Sequence, residues 1–153
     1  MEKAKAYYKT EMRGGRLPSP LKKATPGSAG WDLAAFLDSP VEIRPGERAL
    51  IPTGIYMALP EGCCAFVMAR SGLAHKKGVR PSNCVGLIDS DYRGEITVSL
   101  ENGGSEPFLV EDGMRIAQLV VFSMPELCLE PSSGLDETMR GRGGFGSTGT
   151  DKL

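Results

Sequence analysis

The chain has 153 residues with 18 basic and 19 acidic side chains, a net charge of -1 and 41% hydrophobic residues. That is enough chain for one hydrophobic core. The near-neutral balance argues against a nucleic-acid coat or a membrane-surface protein, both of which need a basic excess, and no apolar run approaches the ~20 residues that cross a bilayer.

The opening stretch MEKAKAYYKTEMRGGR is polar and mixed in charge, without the apolar centre of a signal peptide. We therefore expect a cytoplasmic protein with reduced thiols. Next, AGWDLAA sets Asp32 among apolar neighbours, where a lone carboxylate needs a partner. VEI, Val41 to Ile43, leads into the turn RPGE. IYMAL, Ile55 to Leu59, leads into PEG, and CCAFVMA, Cys63 to Ala69, reads as a buried strand. Helical punctuation occurs once, over Ser71 to Lys77, with Ser71 as the expected N-cap and Gly78 as the stop. Arg70 and Ser71 then sit at the helix mouth, where backbone N–H groups favour an anion.

CVGLI, Cys84 to Ile88, runs into DSDYRG and then EITVSLEN. In the last run Ile96, Val98 and Leu100 share one face, with Thr97 and Ser99 on the other. Asp89 and Asp91, two residues apart, could be a metal-binding pair or a polar hairpin turn. PFLV, the turn EDG and MRIAQLVVF close the strand pattern. Gln118 in that last run faces a site or pairs with a neighbour, depending on register. Seven or more strands at this spacing predict an all-β sandwich or jelly roll with one short helix.

Four cysteines, Cys63, Cys64, Cys84 and Cys128, include no C-x-x-C pair. Adjacent Cys63 and Cys64 would point to opposite faces of a strand and are poor co-ligands. All four are expected to be small buried or half-buried side chains. His75 is the single histidine, so no ordinary zinc site can be assembled, and a serine triad could use only His75, which no G-x-S-x-G elbow accompanies.

From Pro131 onward the strand pattern stops. Gly141, Gly143 and Gly146 match G-x-G-x-x-G, but no strand pattern precedes them and no helix pattern follows, so this is not the dinucleotide fingerprint. The composition still suits phosphate. Glycines let N–H groups converge on an anion, Arg140 and Arg142 can fork to phosphate oxygens, and Ser147 and Thr148 add hydroxyls. Phe145 offers a flat face to a base. A flexible linker has the same composition.

AGWDLAA, ARSGLAHKKG, NCVGLIDSDYRGE, DGMRIAQL and RGRGGFGSTG, in this order, resemble the five motifs of the trimeric deoxyuridine triphosphatases (dUTPases). The departures are small: Trp31 stands where Tyr is frequent, Gly72 where a second Ser is, and Met114 where a polar residue is. The resemblance implies a jelly-roll-like β-barrel over residues 1–130 and a flexible arm over 131–153. It implies a homotrimer with shared active sites that hydrolyses dUTP to dUMP and pyrophosphate with Mg2+. Such a reaction limits uracil in DNA and supplies dUMP for dTTP synthesis.

By the same resemblance Asp89 is the catalytic base for an in-line water at the α-phosphorus, and Asp32 acts on Mg2+ through water. Arg70, Ser71, Gly72 and Gln118 contact the phosphates. Asn83 supports the hairpin that reads uracil, and Tyr92 packs beneath the deoxyribose and excludes a 2′-hydroxyl. Arg140, Phe145, Gly146, Ser147 and Thr148 belong to the closing arm, with Phe145 over uracil. A dCTP deaminase, which shares the fold, and a non-catalytic trimeric nucleotide-binding module are the alternatives.

Overall fold

A computed structural model describes residues 4–145, 147 and 149, and these form ten strands and one helix. In chain order they are β1 (Tyr7–Thr10), β2 (Trp31–Ala34), β3 (Val41–Ile43), β4 (Arg48–Ala58), β5 (Cys63–Met68), α1 (Ser71–Lys77), β6 (Val79–Pro81), β7 (Gly86–Ile88), β8 (Glu95–Asn102), β9 (Phe108–Val110) and β10 (Arg115–Ser123). One sheet runs β1-β4-β8-β6, a second runs β2-β10-β5-β7, and β3-β9 is a separate ribbon. Every pairing is antiparallel. This is the expected all-β, jelly-roll-like class with one short helix.

The two sheets bury one face each in a common core. Ile51, Val98 and Leu100 come from the first sheet, Leu33, Ala65 and Leu119 from the second, and all are at most 1% exposed. β8 follows the alternation read from its sequence, with Ile96, Val98 and Leu100 buried and Thr97 exposed. β4 is longer than its IYMAL segment. Pro52 and Gly54 interrupt its pattern, and its register against β8 shifts between Pro52 and Tyr56. Gly54 is at φ +66, and a Cβ there would lie 2.7 Å from Pro18 and 2.8 Å from Phe36. Only glycine permits both that conformation and that approach.

Helix α1 buries no side chain, so its placement depends on its ends. Gly78 closes it in the left-handed region, as expected. The N-cap differs from expectation: it is Arg70, extended at φ -87 and ψ 125, and Ser71 is the first helical residue. The Arg70 carbonyl accepts from the N–H groups of Leu73 and Ala74. The cysteines also differ in part. Cys63 and Cys64 are buried, but Cys84 and Cys128 are exposed, because Cys84 falls in a turn at φ 63 and Cys128 follows the last strand.

Candidate active site

The expected site residues fall into two clusters and a terminal segment. The first cluster surrounds β7. This strand is the edge of its sheet and pairs only with β5, so its other edge presents unpaired N–H and C=O groups. That edge borders a cleft of about 290 Å³ lined by Asn83, Gly86, Asp89 and Tyr92, with Thr97 and Ser99 across it. A Cβ on Gly86 would lie 3.2 Å from the Val67 Cβ and 3.4 Å from the Asn83 amide nitrogen, so the strand packs closely there.

The turn after β7 is locally closed. Tyr92 N–H donates to the Asp89 carbonyl, and the Arg93 guanidinium donates to the carbonyls of Ser90 (2.6 Å) and Tyr92 (2.8 Å). Asp89 is exposed and lines the cleft, whereas Asp91 lies in the turn and does not. The Tyr92 ring folds back over Gly94 and its hydroxyl donates to the Glu95 carbonyl at 2.9 Å. The cleft is therefore a slot with a backbone edge, a carboxylate at its rim and an aromatic ring on one side.

The second cluster lies on the outer face of the same sheet. Gln118 pairs across to Asp32 on β2 and to Met68 on β5, so these side chains form one row. Gln118 Nε2 donates to the Ala69 carbonyl at 2.9 Å. Gly30 leaves it room, since a Cβ there would stand 3.3 Å from Gln118 Oε1. Asp32 Oδ1 is 3.1 Å from Arg70 Nε, and Asp32 Oδ2 is 3.1 Å from a terminal nitrogen of Arg115. Ser71 and Gly72 are exposed in the first turn of α1, and nothing stands within 4 Å of a Cβ on Gly72. The departure from Ser at this position is therefore sterically neutral. Arg115 was not among the expected residues.

Two guanidiniums against one carboxylate leave this cluster net positive, which suits a polyanion. Among the described residues no group of three or more His, Cys, Asp or Glu stands ready to hold a metal ion. Asp32 alone supplies hard oxygens here, and both already face guanidiniums, so the cluster fits a hard divalent ion only as one held through its waters.

Asp89 and Arg70 do not meet within one chain. Ile88, next to Asp89, is opposite Ala65, while Arg70 lies beyond the other end of β5. Five residues of extended chain span roughly 17 Å. The terminal segment joins neither cluster: among the described residues its hydrogen bonds are internal, such as Arg140 Nε to the Gly143 carbonyl at 2.9 Å. Phe145 and Ser147 are exposed. Gly146 and Thr148 lie outside the described residues.

The dUTPase family model matches residues 19–149. The chain is 52% identical over 141 residues to the deoxyuridine 5'-triphosphate nucleotidohydrolase of Rickettsia felis, covering 92% of this chain and 93% of that protein. It is also 52% identical over 148 residues to the enzyme of the same name from Desulfitobacterium hafniense, covering 96% of each. In three dimensions it is similar to the dUTPase of Staphylococcus bacteriophage 80alpha with dUPNHPP, with a TM-score of 0.80 and 25% identity, covering 95% of this chain and 99% of that one.

Proposed function

This chain belongs to the dUTPase family, and from that membership we propose how it hydrolyses dUTP to dUMP and pyrophosphate. The observation that carries the site assignment is the cleft that gathers Asn83, Asp89 and Tyr92 beside a free strand edge. The backbone edge of β7 reads uracil as a base-pairing partner would. Cytosine carries the reversed donor and acceptor pattern and would leave buried polar groups unpaired, which such sites reject strongly. Thymine's methyl is excluded by close backbone. Asn83 holds the hairpin, and the Tyr92 ring closes the space a 2′-hydroxyl would need.

Asp89 orients a water for in-line attack on the α-phosphorus and takes its proton. A carboxylate is a modest base, so most of the gain comes from position. Arg70, Ser71, Gly72 and Gln118 bind the phosphate chain. Mg2+, carried by the triphosphate and held by Asp32 through water, would supply charge neutralisation on the phosphates. The segment 131–153 serves as an arm beyond the β-barrel of residues 1–130. Phe145 covers uracil, Arg140, Ser147 and Thr148 close on the distal phosphates, and Gly146 joins them in the substrate-binding arm, which excludes bulk water.

The assembly is a homotrimer with shared sites. Its support is the separation of Asp89 from Arg70 along β5, too long for one chain to bring the two together. The outer sheet face that carries Asp32 and Gln118 continues into exposed Leu87 and Phe122, an apolar area suited to a neighbouring copy. No described helix is long and apolar enough to cross a membrane, and the cytoplasm is the proposed location.

The test is a product assay with dUTP, dCTP, dTTP and UTP supplied separately with Mg2+. Conversion of dUTP alone to dUMP and pyrophosphate is expected. A uracil nucleotide made from dCTP would move the protein to the deaminase chemistry, and binding without turnover would leave a nucleotide-binding module. Asp89→Asn should lower kcat by about a hundredfold or more at unchanged thermal midpoint. Near-parent turnover in that variant would remove Asp89 as the base.

A further inference from the structure

Asp32 meets two arginines, of which only Arg70 was expected at the site. Arg70 approaches Oδ1 and Arg115 approaches Oδ2, each at 3.1 Å. The Asp32 side chain is 18% exposed, against 29% for Arg70 and 55% for Arg115. Arg70 also donates from a terminal nitrogen to the main-chain carbonyl of Arg115 at 3.1 Å. A guanidinium has five N–H donors. Arg70 donates one to that carbonyl and stands at ion-pair distance from Asp32, which leaves donors for a ligand.

An unbroken strand would not put Arg115 on this face. Gln118 is opposite Asp32, so both side chains project from the outer face. Arg115 precedes Gln118 by an odd step, which in a regular strand would turn it towards the core. The β10–β2 register shifts between Arg115 and Ala117, and Arg115 comes to lie opposite Ala34. Ala34 is an even step from Asp32. The bulge at Ile116, itself 1% exposed, therefore carries Arg115 to the Asp32 side. Bulges of this kind re-aim a side chain next to a site.

We propose that Arg115 is a positioning residue of the phosphate site. It holds the Asp32 carboxylate from the side opposite Arg70, and through that carboxylate fixes the Arg70 guanidinium in the orientation that meets the triphosphate. This rests on the reading that Arg70 binds the phosphate chain. Gripped by two cations, the carboxylate cannot rotate to follow either. With Arg115 gone, Arg70 and Asp32 become a partly exposed pair with ordinary mobility, and the triphosphate must order them on binding.

The test is a double-mutant cycle on the full-length protein. Calorimetric titration with dUpNHpp and Mg2+ compares the parent, Arg70→Ala, Arg115→Ala and the double variant, each checked for its thermal midpoint. Arg115→Ala should weaken the analogue about tenfold in the parent background, and by less than about twofold once Arg70 is already alanine. Arg115→Lys, a second variant that keeps the charge without the fork, should recover part of the loss.

Equal losses in both backgrounds would make Arg115 an independent charge and overturn the proposal. Loss from Arg70→Ala with none from Arg115→Ala would overturn it while sparing the reading of Arg70. No loss from Arg70→Ala would sink that reading and the proposal with it.

Discussion

Gly94→Ala isolates the geometry of Tyr92 from the chemistry of its ring. A Cβ on Gly94 would lie 2.5 Å from Tyr92 Cζ and 3.0 Å from Cε2. Carbon atoms in contact prefer about 3.5 Å or more, so the ring must move by roughly 1 Å. That shift takes the hydroxyl away from the Glu95 carbonyl, which it now meets at 2.9 Å.

The lost hydrogen bond is exposed and is worth about 0.5–1 kcal/mol. Replacing glycine by alanine stiffens the unfolded chain and returns about 0.4–1 kcal/mol where the backbone tolerates it. Gly94 has no positive φ, so the two terms nearly cancel and the thermal midpoint should hold. Selectivity should not. A steric gate against one added atom is worth about 1–3 kcal/mol, and moving the ring relieves most of it. The ratio of kcat/KM for dUTP over UTP is expected to fall about tenfold. Initial rates on both nucleotides, with the melting curve as control, decide the matter. A ratio within twofold of the parent would refute Tyr92 as the gate against the 2′-hydroxyl.

Other perturbations separate folding from function. Truncation after Met139 should leave the melting temperature unchanged, since Phe145, the large apolar side chain it removes, is fully exposed, while kcat/KM for dUTP drops about a hundredfold. Full activity in the truncated protein would reduce the arm to a linker. Asn102 is fully buried, donates to the carbonyls of Ile43 and Glu106 at 2.8 Å each, and accepts from Gly104 N–H at 2.9 Å. Asn102→Ala should cost about 3 kcal/mol in urea unfolding, and a loss under about 1 kcal/mol would contradict that role. The Tyr56 phenol is pushed above its ordinary value of 10.0, first by its hydrogen bond to Glu11 and then by burial and the charges of Glu95 and Glu11. Its folded value is the higher one, so its contribution is present below pH 10.0 and is lost as pH rises beyond it. Glu11→Gln should flatten that alkaline decline in a pH series of melting curves.

Much of the β pattern was legible because strand alternation is local. Ile96, Val98 and Leu100 announce β8, and the VEI and PFLV runs announce β3 and β9, whose pairing only the structure shows. β1, β2 and β6 were not legible as strands. β1 exposes Tyr7 and Tyr8 and exists through its pairing with β4, while β6 is a three-residue strand held against β8. Long-range pairing, not their own period, makes them strands.

The chemical types at the candidate site are legible in the chain alone. It supplied Asp89 and Tyr92 in one hairpin, Arg70 at the entry of a helix stopped by Gly78, and a glycine-rich arm. Those follow from residue identity and short spacing. Only the tertiary structure decided who meets whom. It separated Asp89 from Arg70 along β5, made Arg70 the helix cap in place of Ser71, and brought Arg115 to Asp32 through a bulge. For the strand contacts, long-range pairing is the cause. Register is set by hydrogen bonds between distant segments, and a shift of one residue turns a side chain to the opposite face, which no local pattern records.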